Sequence, residues 1–192
     1  NLAKITSKLG YKTYPNYWNR NLANKIIKNF GEVDVVYAAN TITHIADLEN
    51  VFKSIFNVLS QNGILIIEEP SLLECFKKTS YDQFYNEHIY VFSYLSLKNI
   101  LKKHNLEIFH LENISDHGGS IRYYIKKKFA KYKINNSTKI QKKIEIKNGL
   151  HKFSTYLQFK KRVELSRKKL LLLIRKINKR NKNIIGYGAT AK

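Results

Sequence analysis

Two short apolar runs constrain this chain most. Val33-Asp34-Val35-Val36-Tyr37-Ala38-Ala39 and Gly63-Ile64-Leu65-Ile66-Ile67-Glu68 are β-branched and nearly continuous, too short for helices. Strands buried on both faces, as in parallel sheets, read this way. Between them Leu48, Val51, Phe52, Ile55, Phe56 and Leu59 recur with a helical period behind Asp47, a plausible N-cap. Strand, helix, strand in this order predicts a parallel pair with a crossover helix, the unit of α/β sheets.

The flanking segments extend that plan. Residues 1–9 read as a helix end closed by Gly10, Tyr11–Tyr14 as a short strand, and 19–29 as a helix closed by Gly31. Pro70 ends the second apolar run. Ser93 is placed to cap a helix carrying Leu97, Ile100 and Leu101, and strands are expected near 106–113 and 119–126. Residues 130–138 read as a linker, and 139–180 as helix divided at Gly149. Leu150, Phe153 and Leu157 share one face, a pattern that more often packs on a core than binds a membrane. Asn183–Gly188 has the look of a second α/β unit opening.

At 192 residues with one cysteine, Cys75, the chain can hold no internal disulfide and no cysteine-rich zinc site. No apolar run reaches membrane-spanning length, and no signal-peptide pattern opens the sequence, which favours the cytoplasm. Methionine is absent altogether, so the expectation is an internal piece of a longer protein. The net charge of +21 is uneven: +1 over residues 1–125 and +20 over residues 126–192. Such asymmetry admits an anionic partner, nucleic acid or an anionic surface, but a solvated lysine-rich helix face is the simpler reading.

The chemistry concentrates in Tyr81-Asp82-Gln83-Phe84-Tyr85-Asn86-Glu87-His88-Ile89-Tyr90-Val91-Phe92-Ser93. A phenol, a carboxylate and an imidazole fall within four residues, after a strand whose far end faces the crevice where α/β proteins bind ligands. Histidine suits a general base because it exchanges protons near neutral pH. His44 lies in the loop after the first apolar run and should face the same crevice. His117-Gly118-Gly119 offers permissive backbone beside a ligand, or simply a turn between strands. Arg122 could hold a phosphate through two hydrogen bonds or form a salt bridge within the sheet.

Four segments in order carry a resemblance. Asp34–Ile45 is similar to a fourth methyltransferase strand with its histidine loop. Tyr81–Ser93 resembles the tyrosine–x–glutamate–histidine segment of the sugar C-methyltransferases, His117–Arg122 their His-Gly-Gly-Ser-x-Arg strand, and Gly186–Lys192 their Gly-Tyr-Gly-Ala-x-Ala-Lys motif. Asn86 stands where that family often has histidine, and Thr190 where it usually has proline. The resemblance implies a class I, Rossmann-like core over residues 1–128 lacking its first strands. Residues 129–192 would then form a helical connector and the start of a C-terminal α/β domain.

It further implies S-adenosylmethionine-dependent C-methylation of a nucleotide-activated deoxy-keto sugar through an enolate. In that scheme His88 is the base, Tyr85 the enolate stabiliser, Glu87 a grip on the sugar, and His44 an assistant across the crevice. Tyr17, Ala39, Asn40 and Thr41, with Asn16, would lie along the cofactor, and His117, Gly118 and Arg122 along the substrate. The family's zinc cysteines, glycine-rich loop and second-strand acidic residue would all precede Asn1, so zinc is expected only in a missing N-terminal domain. The isolated segment is expected to be inactive. Another methyl acceptor, or a basic module binding nucleic acid or an anionic surface through residues 126–180, are the competing readings, nucleic acid being the less favoured partner.

Overall fold

The computed structural model describes residues 2–186 and 188. Helices α1 (Leu2–Lys8) and α2 (Arg20–Phe30) lead into strand β1 (Val33–Ala39). Helix α3 (Leu48–Val58) carries the chain to β2 (Leu59–Pro70), followed by α4 (Leu72–Lys78) and α5 (Tyr94–Lys102). Then come β3 (Leu106–Ile114), β4 (Ser120–Lys127), α6 (Asn136–Lys147) and α7 (Phe153–Asn178).

The four strands form one sheet in the order β1-β2-β4-β3. β1 and β2 run parallel, with Val36 opposite Leu65 and Ala39 opposite Glu68. β4 is antiparallel to both β2 and β3. The parallel pair and its crossover helix stand as the apolar runs require. Alternation along β2 decides the layers: Leu65, Ile67 and Glu69 turn to one face, Ile66 and Glu68 to the other. On the first face α3 and α5 bury Val51, Phe52, Ile55, Leu97 and Leu101 against Leu65, Ile67, Ile121, Tyr123 and Ile125. Each fully buried aliphatic or aromatic side chain there contributes about 1.5–3 kcal/mol.

Helix ends follow their capping residues. The Asn19 side chain accepts the amide of Leu22, and Gly31 closes α2 at φ 80°. Asp47 accepts the amide of Asn50 at the start of α3. Ser93 and Ser96 form a reciprocal capping box at the start of α5. α4 was not foreseen; Ser71 caps it, and Leu72, Leu73, Cys75 and Phe76 form a second apolar cluster with Leu150.

Three expectations need correction. Tyr11–Tyr14 is irregular and no strand pairs with it; Thr13 is tied instead to the Ala3 carbonyl. The expected apolar stripe after Gly149 splits: Leu150 is buried, whereas Phe153 is 76% and Leu157 47% exposed. The reason is which face docks: α7 meets the body through Tyr156, Phe159 and Arg162, which turns Phe153 and Leu157 away, and none of its residues is buried. No strand forms over 182–186, and Tyr187 and Ala189–Lys192 of the closing glycine motif lie outside the described residues. Among the described residues no helix is long and apolar enough to cross a membrane.

Candidate active site

β1 ends at Ala39, and Asn40 follows in the left-handed region at φ 48°, its amide bonded to the Glu68 carbonyl. This sharp exit turns the chain into a short 3-10 turn, Ile42–His44. The turn is fixed from beneath by Glu69. One carboxylate oxygen, Oε1, accepts the amides of Thr41 (3.2 Å), Ile42 (2.8 Å) and Thr43 (3.4 Å). The turn is fixed from above by the segment carrying the phenol and imidazole. Thr43 donates through Oγ1 to the Tyr90 carbonyl, and the Tyr90 amide returns a bond to the Thr43 carbonyl.

This pairing brings two histidines together. His88 Nδ1 lies 2.8 Å from the Gln83 carbonyl, and His44 Nδ1 lies 2.8 Å from the Glu87 carbonyl. A carbonyl oxygen only accepts, so each Nδ1 carries a proton, and the tautomer this selects places the lone pair on Nε2. The two rings meet edge to face with centroids 5.0 Å apart. Tyr85 Oη stands 3.1 Å from His88 Nε2, so the phenol donates to the basic atom of the imidazole. Phe84 of the same segment rests on Phe159 of α7, which stacks on Phe76 with centroids 4.4 Å apart.

The other expected residues are placed less evenly. The Glu87 carboxylate is exposed and makes no hydrogen bond or ion pair among the described residues; its main-chain carbonyl, not its side chain, orients His44. Ala39 and Thr41 line a cavity of about 290 Å³ with Trp18, Val36, Ile42 and Ile45. Tyr17 is 95% exposed and lies, with Asn16, along a separate surface recess with Tyr14 and Pro15. Asn40 is exposed at the mouth of the β1 turn.

His117 is left-handed at φ 52°, and its Gly118 carbonyl accepts from Lys78. Gly119, at φ 124°, comes so close to Glu74 that a Cβ there would sit 2.8 Å from its Cγ. The Arg122 guanidinium is taken up within the sheet, 2.7 Å from Glu68 and 3.4 Å from Glu112. That hydrogen bond holds the Glu68 carboxyl below its usual range.

Sequence reasoning passed over Glu69, Thr43, Tyr90, Trp18 and Phe159. Glu69 could have been found: period-two alternation must turn one of the adjacent pair Glu68 and Glu69 toward the core. Burial pushes its carboxyl up from the ordinary 4.5 to about 7, against the lowering pull of the three amides. The sign follows from linkage. Below about pH 4.5 the group is neutral in both states. As the pH rises the unfolded chain loses its proton first, so stability falls until the folded carboxyl also ionises, by roughly 3 kcal/mol in all. Glu69→Gln, neutral throughout, should therefore gain stability over the wild type between about pH 5 and about pH 8 in urea unfolding; a difference independent of pH would refute this.

The sheet with its crossover helix is an α/β core, and comparison with known proteins identifies its family. A family model described as a methyltransferase domain matches residues 6–111, more than half of the chain. The chain belongs to that family of S-adenosylmethionine-dependent class I methyltransferases. A model described as the C-methyltransferase C-terminal domain matches residues 115–192. C-methyltransferase NovU of Streptomyces niveus is 27% identical over 192 residues, covering all of this chain and 46% of that protein. The chain thus spans about half the length of the curated relative it matches. Among solved structures, an S-adenosylmethionine-dependent methyltransferase from Anabaena variabilis is 13% identical, with 57% of this chain and 55% of that chain covered, at a TM-score of 0.42. Magnesium protoporphyrin IX methyltransferase from Synechocystis is 16% identical, with 64% and 56% covered, at a TM-score of 0.39.

The residues at the β1 cavity suit part of the methyl donor. An indole and aliphatic walls favour a flat heterocycle, and the exposed polar turn at Asn40 and Thr41 offers hydrogen bonds at its rim. Among the described residues no group of three or more His, Cys, Asp or Glu could hold a metal ion.

Proposed function

We propose that the chain provides the acceptor side of a C-methyltransferase acting on a nucleotide-activated deoxy-keto sugar. The observation that carries this reading is His88, whose tautomer is fixed through Nδ1 so that Nε2 faces the Tyr85 hydroxyl. Carbon is a poor nucleophile until a proton beside a ketone is removed. His88 Nε2 takes that proton, and the carbonyl oxygen gains negative charge as the enolate forms. Tyr85 turns its hydroxyl from Nε2 to that oxygen, which frees the base and stabilises the anion at once. His44 stands edge-on to His88 and keeps its own Nε2 for the substrate. S-adenosylmethionine supplies an electrophilic methyl group when bound, with Trp18, Ala39, Asn40 and Thr41 along it, and Tyr17 at the outer recess.

Transfer to carbon draws on the relationship to NovU and on the C-methyltransferase match over the second half, and the sugar acceptor on the resemblance carried by Tyr81–Ser93 and His117–Arg122. Glu87, exposed beside the two histidines, is free of structural duties that would keep it from a sugar hydroxyl. His117 and Gly118 lie beside the end of β2, since the Ser71 amide bonds the Gly119 carbonyl. Arg122 reaches a phosphate only by yielding part of its bonding to Glu68 and Glu112. In domain terms residues 1–128 form the methyltransferase core and 129–192 a connector leading into the C-terminal region.

The test separates proton removal from methyl transfer. The full-length enzyme, given a nucleotide-linked keto-deoxy sugar in D₂O without methyl donor, is expected to exchange the carbon-bound proton beside the ketone. With donor carrying a ¹³C methyl, the label should appear on that carbon. Label on oxygen or nitrogen, with no exchange at carbon, would dispose of the C-methylation reading.

A further inference from the structure

The mechanism leaves the buried carboxyl group beneath the β1 turn unused. Glu69 is 1% exposed, and its second oxygen, Oε2, is buried without a hydrogen-bond partner. A buried carboxylate costs stability unless its oxygens are satisfied. This one directs all its hydrogen bonding through Oε1 at a single object, the turn Thr41–Thr43. It caps no regular helix of the core. The turn it grips is irregular, begins at a left-handed asparagine, and carries His44 as its last residue.

We infer that Glu69 is a positioning residue, holding the turn after β1 so that His44 stands against His88 and the rim of the β1 cavity keeps its shape. The linkage is continuous. Glu69 Oε1 fixes three consecutive amides. Thr43, the last of them, exchanges two hydrogen bonds with Tyr90, two residues beyond His88. His44 follows Thr43 directly, bonds the carbonyl of Glu87 and meets the ring of His88. Without the carboxylate, three amides in a buried pocket would compete for water or rotate toward other acceptors. The turn would then drift relative to the Tyr85–His88 segment. Because Thr41 lies on the cavity and His44 on the acceptor side, drift acts on both halves of the site.

Glutamine preserves the gripping atom, since its amide oxygen replaces Oε1 and its nitrogen replaces the unpartnered Oε2 at nearly equal volume. Leucine preserves bulk and removes every acceptor. Aspartate keeps the charge but withdraws the oxygen by about one carbon–carbon bond.

The inference rests on His88 acting as the base, so the experiment includes His88→Ala in parallel. In the full-length enzyme Glu69→Leu should lower kcat about 50-fold and weaken binding of S-adenosylhomocysteine about 10-fold, while leaving the far-ultraviolet circular dichroism unchanged. Glu69→Gln should restore kcat to within about 3-fold of wild type. That rescue, together with paired loss of kcat and cofactor affinity at constant fold content, is not the mark of a residue that only adds stability. If the leucine variant is insoluble, Glu69→Asp carries the test, with an expected 10-fold loss of kcat.

Wild-type kcat and cofactor affinity in Glu69→Leu, or wild-type kcat in Glu69→Asp, would overturn the inference. So would a glutamine variant as impaired as the leucine one. Full turnover by His88→Ala would instead overturn the base assignment, whatever the Glu69 variants show.

Discussion

His88→Ala in the full-length enzyme is expected to lower methyl transfer by about a thousandfold or more while the protein keeps its fold. A positioned general base typically contributes a factor of about 10²–10⁴. The structure says why this imidazole would be a good one. Its Nδ1 is anchored on the Gln83 carbonyl, its ring lies against Tyr85 at a centroid distance of 4.3 Å, and its Nε2 already receives a hydrogen bond. The ring itself needs no rotation; only the Tyr85 hydroxyl must turn aside before Nε2 accepts a proton. His88 is only half-buried, so its loss opens no large cavity in the main core.

Tyr85→Phe should be milder, about a hundredfold in kcat, because it removes one donor to the enolate and leaves the base in place. The two effects should not add in the double variant, since the phenol works only on an anion that the base has made. Proton exchange beside the ketone in D₂O should vanish in His88→Ala. Exchange at the wild-type rate in that variant would move the base elsewhere, with His44 the next group to test.

The frame of the molecule was legible because its signals are local. β-branched runs, Asp47, Ser93 and Gly31 each act within a turn or two of themselves, and all stand where the sequence puts them. The Tyr85–His88 spacing was equally local, and a short turn does bring phenol and imidazole together. What could not be read depends on residues far apart in the chain. Glu69 meets Thr41–Thr43 across 26 to 28 positions, and only the parallel register of β1 and β2 brings them together. Tyr17 and Trp18 are neighbours, yet one is exposed and the other lines the β1 cavity; which does which depends on how α2 docks. Phe153 and Leu157 carry a convincing apolar spacing, but spacing cannot say whether anything lies opposite.

The largest stability effect should come from the basic second half, at Glu145. Residues 126–192 contain two acidic residues, Glu145 and Glu164, among 22 lysines and arginines. Charge alone would leave both on the surface. Glu145 is instead fully buried, and it leaves α6 to cap α5, accepting the amides of Tyr94 at 2.7 Å and Leu95 at 3.0 Å. Gln141, one turn earlier, donates to the same carboxylate at 3.0 Å. A helix begins with four amides that lack partners inside it, and its N-terminus favours negative charge. Ser93 serves the amide of Ser96, so Glu145 completes the first turn of the helix that follows the Tyr85–His88 segment.

Glu145→Ala would strand the buried Tyr94 amide, the half-buried Leu95 amide and the buried Gln141 side chain together. Each unsatisfied buried group costs about 1–3 kcal/mol, so a loss of about 3–5 kcal/mol is expected in urea unfolding of the full-length protein. Glu145→Gln, which keeps one accepting oxygen, should lose about half as much. Glu164→Ala is the matched control: its carboxylate is 49% exposed, 3.7 Å from Arg167, and should change stability by under about 0.5 kcal/mol. Equal effects at the two positions would mean that α6 does not hold α5. The expected contrast would show that the helix opening the connector is structurally part of the methyltransferase core.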